Sequence, residues 1–180
     1  MNRSFMKRLW MGLGLLLVAL AAHQATIVLT PDLLMRGAMK RLARIGGMNQ
    51  LSFPKQATET ERVIVMPSPD LLYSICPYDL SQGPLLFDAT LPPDTLWSLS
   101  AFDARTNNYF VVDDRQLGTA QPSIVFALAS QPVDEVPGRR IVQSPSARGL
   151  LLVRTVVDRD ERVAELDQWR RKAHCAPLQR

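Results

Sequence analysis

The chain has 180 residues, 21 Lys/Arg against 17 Asp/Glu, and a pI near 9.4. The basic excess sits in residues 1–50, which hold seven Lys/Arg and one acid, whereas residues 51–180 hold fourteen and sixteen. A slightly acidic C-terminal region offers no basic surface for nucleic acid, and its length suits one ordinary domain.

Residues 9–29 carry no charge. At a helical rise of about 1.5 Å per residue they span roughly 30 Å, the thickness of a bilayer's hydrocarbon core. Lys7 and Arg8 precede the stretch and Pro31 follows it. Ala19-Leu20-Ala21 has the small-residue form of a signal cleavage site, so release after Ala21 is the competing reading. Apolar character resumes after His23-Gln24 at residues 25–29, which favours an uncleaved signal anchor. His23, Gln24 and Thr26 fall near the outer end, where polar groups snorkel or bond a partner helix. Arg3, Lys7 and Arg8 lie before the span, and Arg36, Lys40, Arg41 and Arg44 after it, so the positive-inside rule does not decide orientation. The two cysteines and the short N-terminal tail favour export of the large C-terminal region. The expected plan is a tail and transmembrane anchor over residues 1–30, a juxtamembrane helix and turn over 31–50, and an exported β-rich domain over 51–180. The expected place is the inner membrane, single-pass, with the domain in the periplasm.

Pro31 suits a first helical turn, and residues 31–45 read as a helix closed by Gly46-Gly47. Arg36, Lys40, Arg41 and Arg44 fall on one side; Leu34, Met35, Ala38, Met39, Leu42 and Ile45 fall on the other. Such a helix suits a bilayer with anionic headgroups as its partner, or packs on the domain with its basic face solvated. Residues 48–61 read as a polar linker. From residue 62 the pattern changes to short β-branched and aromatic runs broken by Pro, Gly and Asp. Strands are predicted over residues 62–66, 71–78, 85–89, 95–103, 109–112, 123–129, 140–143 and 149–157, with Asp113-Asp114-Arg115 closing a hairpin. In 95–103 the alternation puts Trp97, Leu99 and Ala101 on one face. Residues 160–173 read as a helix with acids at its start, Arg170, Arg171 and Lys172 at its end, and a buried stripe of Val163, Leu166 and Trp169. The fold class is therefore mainly β (α+β): an N-terminal transmembrane helix, then a compact antiparallel β-sandwich-like domain closed by a C-terminal helix.

Several segments then carry a family resemblance. Pro67-Ser68-Pro69-Asp70-Leu71-Leu72-Tyr73-Ser74 is followed by Tyr78-Asp79-Leu80-Ser81, by Trp97-Ser98-Leu99-Ser100-Ala101-Phe102-Asp103 and by Gly149-Leu150-Leu151-Leu152-Val153-Arg154-Thr155. In this order they resemble the bacterial domain-of-unknown-function family numbered 1254. Leu71 stands where longer members carry Thr, which puts any hydroxyl-dependent role there in doubt. Those longer members continue into a second domain. The resemblance to the short, membrane-anchored branch implies a separate anchored protein carrying that companion domain as partner. It supplies no catalytic residues.

Cys76 and Cys175 are the only cysteines, and an even count in an exported domain permits a disulfide. No catalytic constellation, metal-ligand spacing or phosphate-cradling loop stands out, so no cofactor is expected. Asp70, Asp79, Asp103 and Asp114 are turn-type aspartates whose spacing does not show convergence on an acid–base pair. Trp97, Tyr73 and Tyr109 are the aromatic set for a sugar-binding face, though Trp97 reads as core. Arg154 shares its strand face with Leu150, Leu152 and Val156; if that face is buried, Asp70 or Asp103 is the expected partner. A recessed anion site is the alternative. The functional expectation is an envelope protein whose β domain is an assembly module. The alternatives are an exported carbohydrate-binding or carbohydrate-active domain, and a soluble periplasmic protein released by cleavage.

Overall fold

In the computed structural model, residues 3–58, 67–92, 94–119, 121–134 and 137–178 are described. The strand expected over residues 62–66 lies outside the described residues. The chain begins with one helix, α1 (Arg3–Gly46), of 44 residues. At about 1.5 Å per residue it is roughly 66 Å long. Among the described residues it is the one helix long and apolar enough to cross a membrane, and the protein covers none of its most apolar window.

Pro31 does not start a second helix; α1 runs through it. An interior proline forfeits one backbone bond and crowds the carbonyl four residues earlier. Near this point the Arg105 guanidinium reaches the Val28 carbonyl at 3.4 Å, which brings the β domain to the end of the apolar stretch. Beyond Pro31, Met35 and Met39 are buried against the domain, with Leu42 and Ala43 half-buried on the same side. Leu33, Leu34 and Ile45 remain exposed, so the covered stripe is narrower than the predicted apolar face.

Among the described residues eight strands follow: β1 (Leu71–Asp79), β2 (Leu85–Asp88), β3 (Trp97–Phe102), β4 (Asn108–Asp113), β5 (Ser123–Leu128), β6 (Arg140–Ser144), β7 (Arg148–Val156) and β8 (His174–Pro177). Two short helices interrupt them: α2 (Asp114–Leu117), and α3 (Val163–Arg170) after a 3-10 turn over Asp160–Arg162. One sheet has the order β1-β7-β3-β4, the other β6-β5-β2-β8. All pairs are antiparallel except β5 with β6, which is parallel, so the sandwich is mixed rather than purely antiparallel.

The inner faces meet in one core. Cys76, Tyr78, Leu99, Ala101, Leu151 and Val153 come from the first sheet; Leu85, Phe87, Ile124, Phe126 and Cys175 come from the second. Trp97, Leu99 and Ala101 are all buried, as their alternation predicts. Phe110 meets Phe126 edge-on across the sheets, centroids 5.8 Å apart. Cys76 and Cys175, 99 residues apart, are joined by a disulfide. Cys175 lies on β8, an edge strand in register with Phe87, so the bond staples sheet to sheet.

Two further expectations are corrected. The polar stretch after α1 is not a free linker: Ser52 bridges Ile75, and the Asn49 amide donates to the Pro77 carbonyl, so it covers the open edge of β1. Asp113-Asp114-Arg115 is not a simple hairpin turn. Asp113 caps α2 by accepting from the Gln116 amide at 2.9 Å, and Gly118 closes it in the left-handed conformation.

Candidate functional site

Register fixes what lies on the outer face of the first sheet. Tyr73, Arg154, Ser98 and Asp113 form one cross-strand row, and Ile75, Leu152, Ser100 and Val111 the next. The core-facing residues of β7 are Leu151, Val153 and Thr155, all buried. Arg154 therefore sits on the opposite, outward face and is half-buried rather than buried. Its Nη1 donates to the Ser100 hydroxyl at 3.1 Å. It has no ion pair among the described residues.

Neither expected aspartate reaches it. The Asp103 carboxylate accepts from the Arg105 amide at 2.8 Å and from the Asn107 amide and side chain at 2.9 and 2.8 Å. It builds the β3–β4 turn, where Thr106 adopts φ 66°. Asp70 is exposed at the mouth of β1, and its carbonyl accepts from Val157. Asp113 shares the row of Arg154 but lies two strands away and is engaged as the α2 cap.

Around Arg154 the face is largely apolar. Leu152 and Val156 flank it along β7, and Val111 and Leu96 are 52 % and 51 % exposed. A shallow depression of about 280 Å³ lies beside the guanidinium, bordered by Leu71, Trp97, Ser98, Asp113 and Arg115. A guanidinium offers five N–H donors, and the structure engages one with a side chain. Such a group can receive a carboxylate or a row of carbonyls, and arginine amid apolar surface is a frequent centre of protein interfaces.

The buried arginine is Arg170, on α3. It is 2 % exposed. It donates to the carbonyls of Tyr73 and Pro54 and pairs with Asp167. Burial pulls its pKa down, opposed by the hydrogen bond and charge of Asp167. The buried stripe of α3 is thus Leu166 and Arg170 with Val163 at its edge; Trp169 is half-buried, with the Lys172 ammonium 3.7 Å over its ring.

A second polar knot closes one end of the sandwich. The Tyr78 hydroxyl lies 3.1 Å from the Phe102 carbonyl, the Tyr109 hydroxyl and the Ser144 hydroxyl, linking both sheets. Burial, then the neighbouring Tyr109 phenol, push the Tyr78 pKa far up; burial also raises that of Tyr109. Gly149 faces this knot, and a Cβ there would collide with the Tyr78 hydroxyl and the Phe102 carbonyl. Sequence reasoning misses the knot because its members lie far apart along the chain.

The other chemical candidates disperse. Asp79 accepts from Ser81 and from Arg148, Asp114 opens α2, and Asp70 and Asp103 stand as described. Trp97 is core, the Tyr73 hydroxyl accepts from the Ser68 amide, and Tyr109 belongs to the Tyr78 knot, so the three aromatics form no common face.

A family model described as "Protein of unknown function (DUF1254)" matches residues 48–177. No curated protein matches the chain. The VPA0106 protein from Vibrio parahaemolyticus is similar in structure, with a TM-score of 0.60 and 17% identity over 80% of this chain and 35% of that one. An uncharacterised protein from Burkholderia cenocepacia gives a TM-score of 0.48 and 15% identity over 72% of this chain and 34% of that one. This chain spans about a third of the length of these solved proteins.

Proposed function

The chain belongs to the DUF1254 family, and we propose that it is a bitopic envelope protein whose β domain docks a separately anchored partner through the outer face of the first sheet. The observation that carries this reading is Arg154: a half-buried guanidinium bonded to Ser100, with no ion pair among the described residues, on a sheet face where Leu96 and Val111 stand half in solvent. A purely structural arginine finds its anions within the domain, as Arg170 does with Asp167. The apolar span of α1 supplies the anchor, and the disulfide between Cys76 and Cys175 suits the oxidising periplasm.

The test is purification of the full chain in mild detergent from its native membranes, with mass spectrometry of the co-eluting proteins. Arg154→Glu reverses the charge at the centre of the face. It should leave the thermal midpoint close to the parent and remove one defined membrane protein from the eluate. Identical eluates from parent and variant would refute the docking face. A C-terminal alkaline phosphatase fusion tests export: it should be active, and a silent fusion would refute the orientation.

A further inference from the structure

The second half of α1 and the turns of the β domain beside it enclose a cleft of about 910 Å³. Arg36, Lys40 and Arg44 lie along its helical wall at one-turn spacing, and Arg148 lines the opposite wall. Met35 and Met39, both buried, form an apolar floor. Asp32 is the one carboxylate in the lining, at the membrane-proximal end. Arg148 is already paired with Asp79 at 2.7 Å. Arg36 and Lys40 have no ion pair among the described residues and are exposed.

The cleft's position selects its ligand. The uncharged stretch ends at residue 29, and Arg105 of the β3–β4 turn touches the Val28 carbonyl. Arg36 lies two helical turns beyond, so a bilayer spanned by residues 9–29 puts the mouth of the cleft at headgroup depth. We infer that this cleft is a binding site for an anionic phospholipid headgroup, the phosphodiester held by Arg36 and Lys40 and the glycerol end of the lipid seated on Met35 and Met39. Arg44 and Arg148 continue the positive lining of the cleft beyond the headgroup layer. Cations at a charged leaflet contribute without a pocket; the apolar floor and the facing Arg148 add a bound geometry that bare surface charge lacks. The proposal rests on the membrane-anchored reading.

The experiment uses the full chain in nanodiscs of phosphatidylcholine alone or with phosphatidylglycerol, read by thermal unfolding and by lipid retention in native mass spectrometry. Parent protein should melt several degrees higher with phosphatidylglycerol and retain it selectively. Arg36→Gln with Lys40→Gln should lose that selectivity, roughly fivefold in lipid affinity for each cation removed. Both residues are exposed and outside any ion pair among the described residues, so folding in phosphatidylcholine should match the parent. The control is Lys7→Gln with Arg8→Gln, equal in charge but at the other end of the span; it should keep the effect. An equal loss in the control would assign the effect to bulk surface charge and overturn the site. Inorganic phosphate added to phosphatidylcholine discs should not raise the midpoint; a rise equal to that from the lipid would make a free anion the ligand and overturn the lipid assignment. Alkaline carbonate washing of membranes separates the premise: extraction there overturns the anchor, whereas retention with no lipid selectivity overturns the cleft alone.

Discussion

Replacing Arg170 by Met should unfold the domain at a markedly lower temperature. The side chain is 2 % exposed and joins three segments: α3 through Asp167, β1 through the Tyr73 carbonyl, and the strap before β1 through the Pro54 carbonyl. Its guanidinium also lies 5.8 Å from the Phe53 ring centroid. Methionine fills much of the volume but donates nothing, leaving two carbonyls unpaired, each costing about 1–3 kcal/mol where no water reaches. Asp167 is not stranded, because the Arg171 Nε holds it at 2.7 Å. The loss should therefore be about 3–5 kcal/mol, the middle of the range for two buried carbonyls left unpaired. For a domain of this size that is a fall of roughly 10–20 °C in midpoint. The assay is thermal unfolding of the full chain in detergent, followed by circular dichroism. Arg171→Met is the control: that side chain is 53 % exposed, and its ion pair should contribute less than about 1 kcal/mol. Equal midpoints for the two variants would refute the reasoning that Arg170 is the domain's buried tie.

Reduction of the disulfide closing the 99-residue separation should cost about 4–5 kcal/mol in the chain-entropy picture, seen as a lower midpoint in reductant and absent in a Cys76→Ser, Cys175→Ser variant. Gly149→Ala should yield little folded protein in a solubility assay, since a Cβ there would meet the Phe102 carbonyl as well as the Tyr78 hydroxyl; Tyr78→Phe in the same chain should not restore the yield, because the backbone carbonyl stays in place. Acid titration of stability should show a contribution from Asp79. Burial raises its pKa, but the Ser81 and Arg148 hydrogen bonds outweigh that and hold it below the ordinary value. Its stabilisation is then fully present above the ordinary carboxylate range and lost as pH falls through the lowered pKa. Asp79→Asn should flatten that limb, and an unchanged acid limb would refute the assignment.

Alternation makes much of this fold legible. Trp97, Leu99 and Ala101 mark the inward face of β3, and seven of the eight strands fall close to their sequence-predicted runs. Arg154 is misplaced by sequence reasoning for a physical reason. Both faces of β7 are apolar, Leu150-Leu152-Val156 on one and Leu151-Val153-Thr155 on the other, so only pairing with β1 and β3 decides which is core. Local rules divide α1 at Pro31 because they make proline a start; the packing of Met35 and Met39 on the domain carries α1 past it. β8 is invisible in the sequence because His174–Pro177 has no strand pattern of its own and pairs only because β2 offers an edge. Apart from the local Arg170–Asp167 pair, the ties at Arg170 and Tyr78 join residues 24 to 116 positions apart, a range that no local spacing reports.

The docking face itself is tested most directly by photocrosslinking in intact cells. A photoreactive phenylalanine analogue at Val111, on the open sheet face, should crosslink to one discrete membrane protein, and Arg154→Glu in the same chain should abolish that product. The same analogue at exposed Gln121, just before β5, should give none. An equal pattern from both positions, or a Val111 product indifferent to Arg154→Glu, would contradict the assembly role.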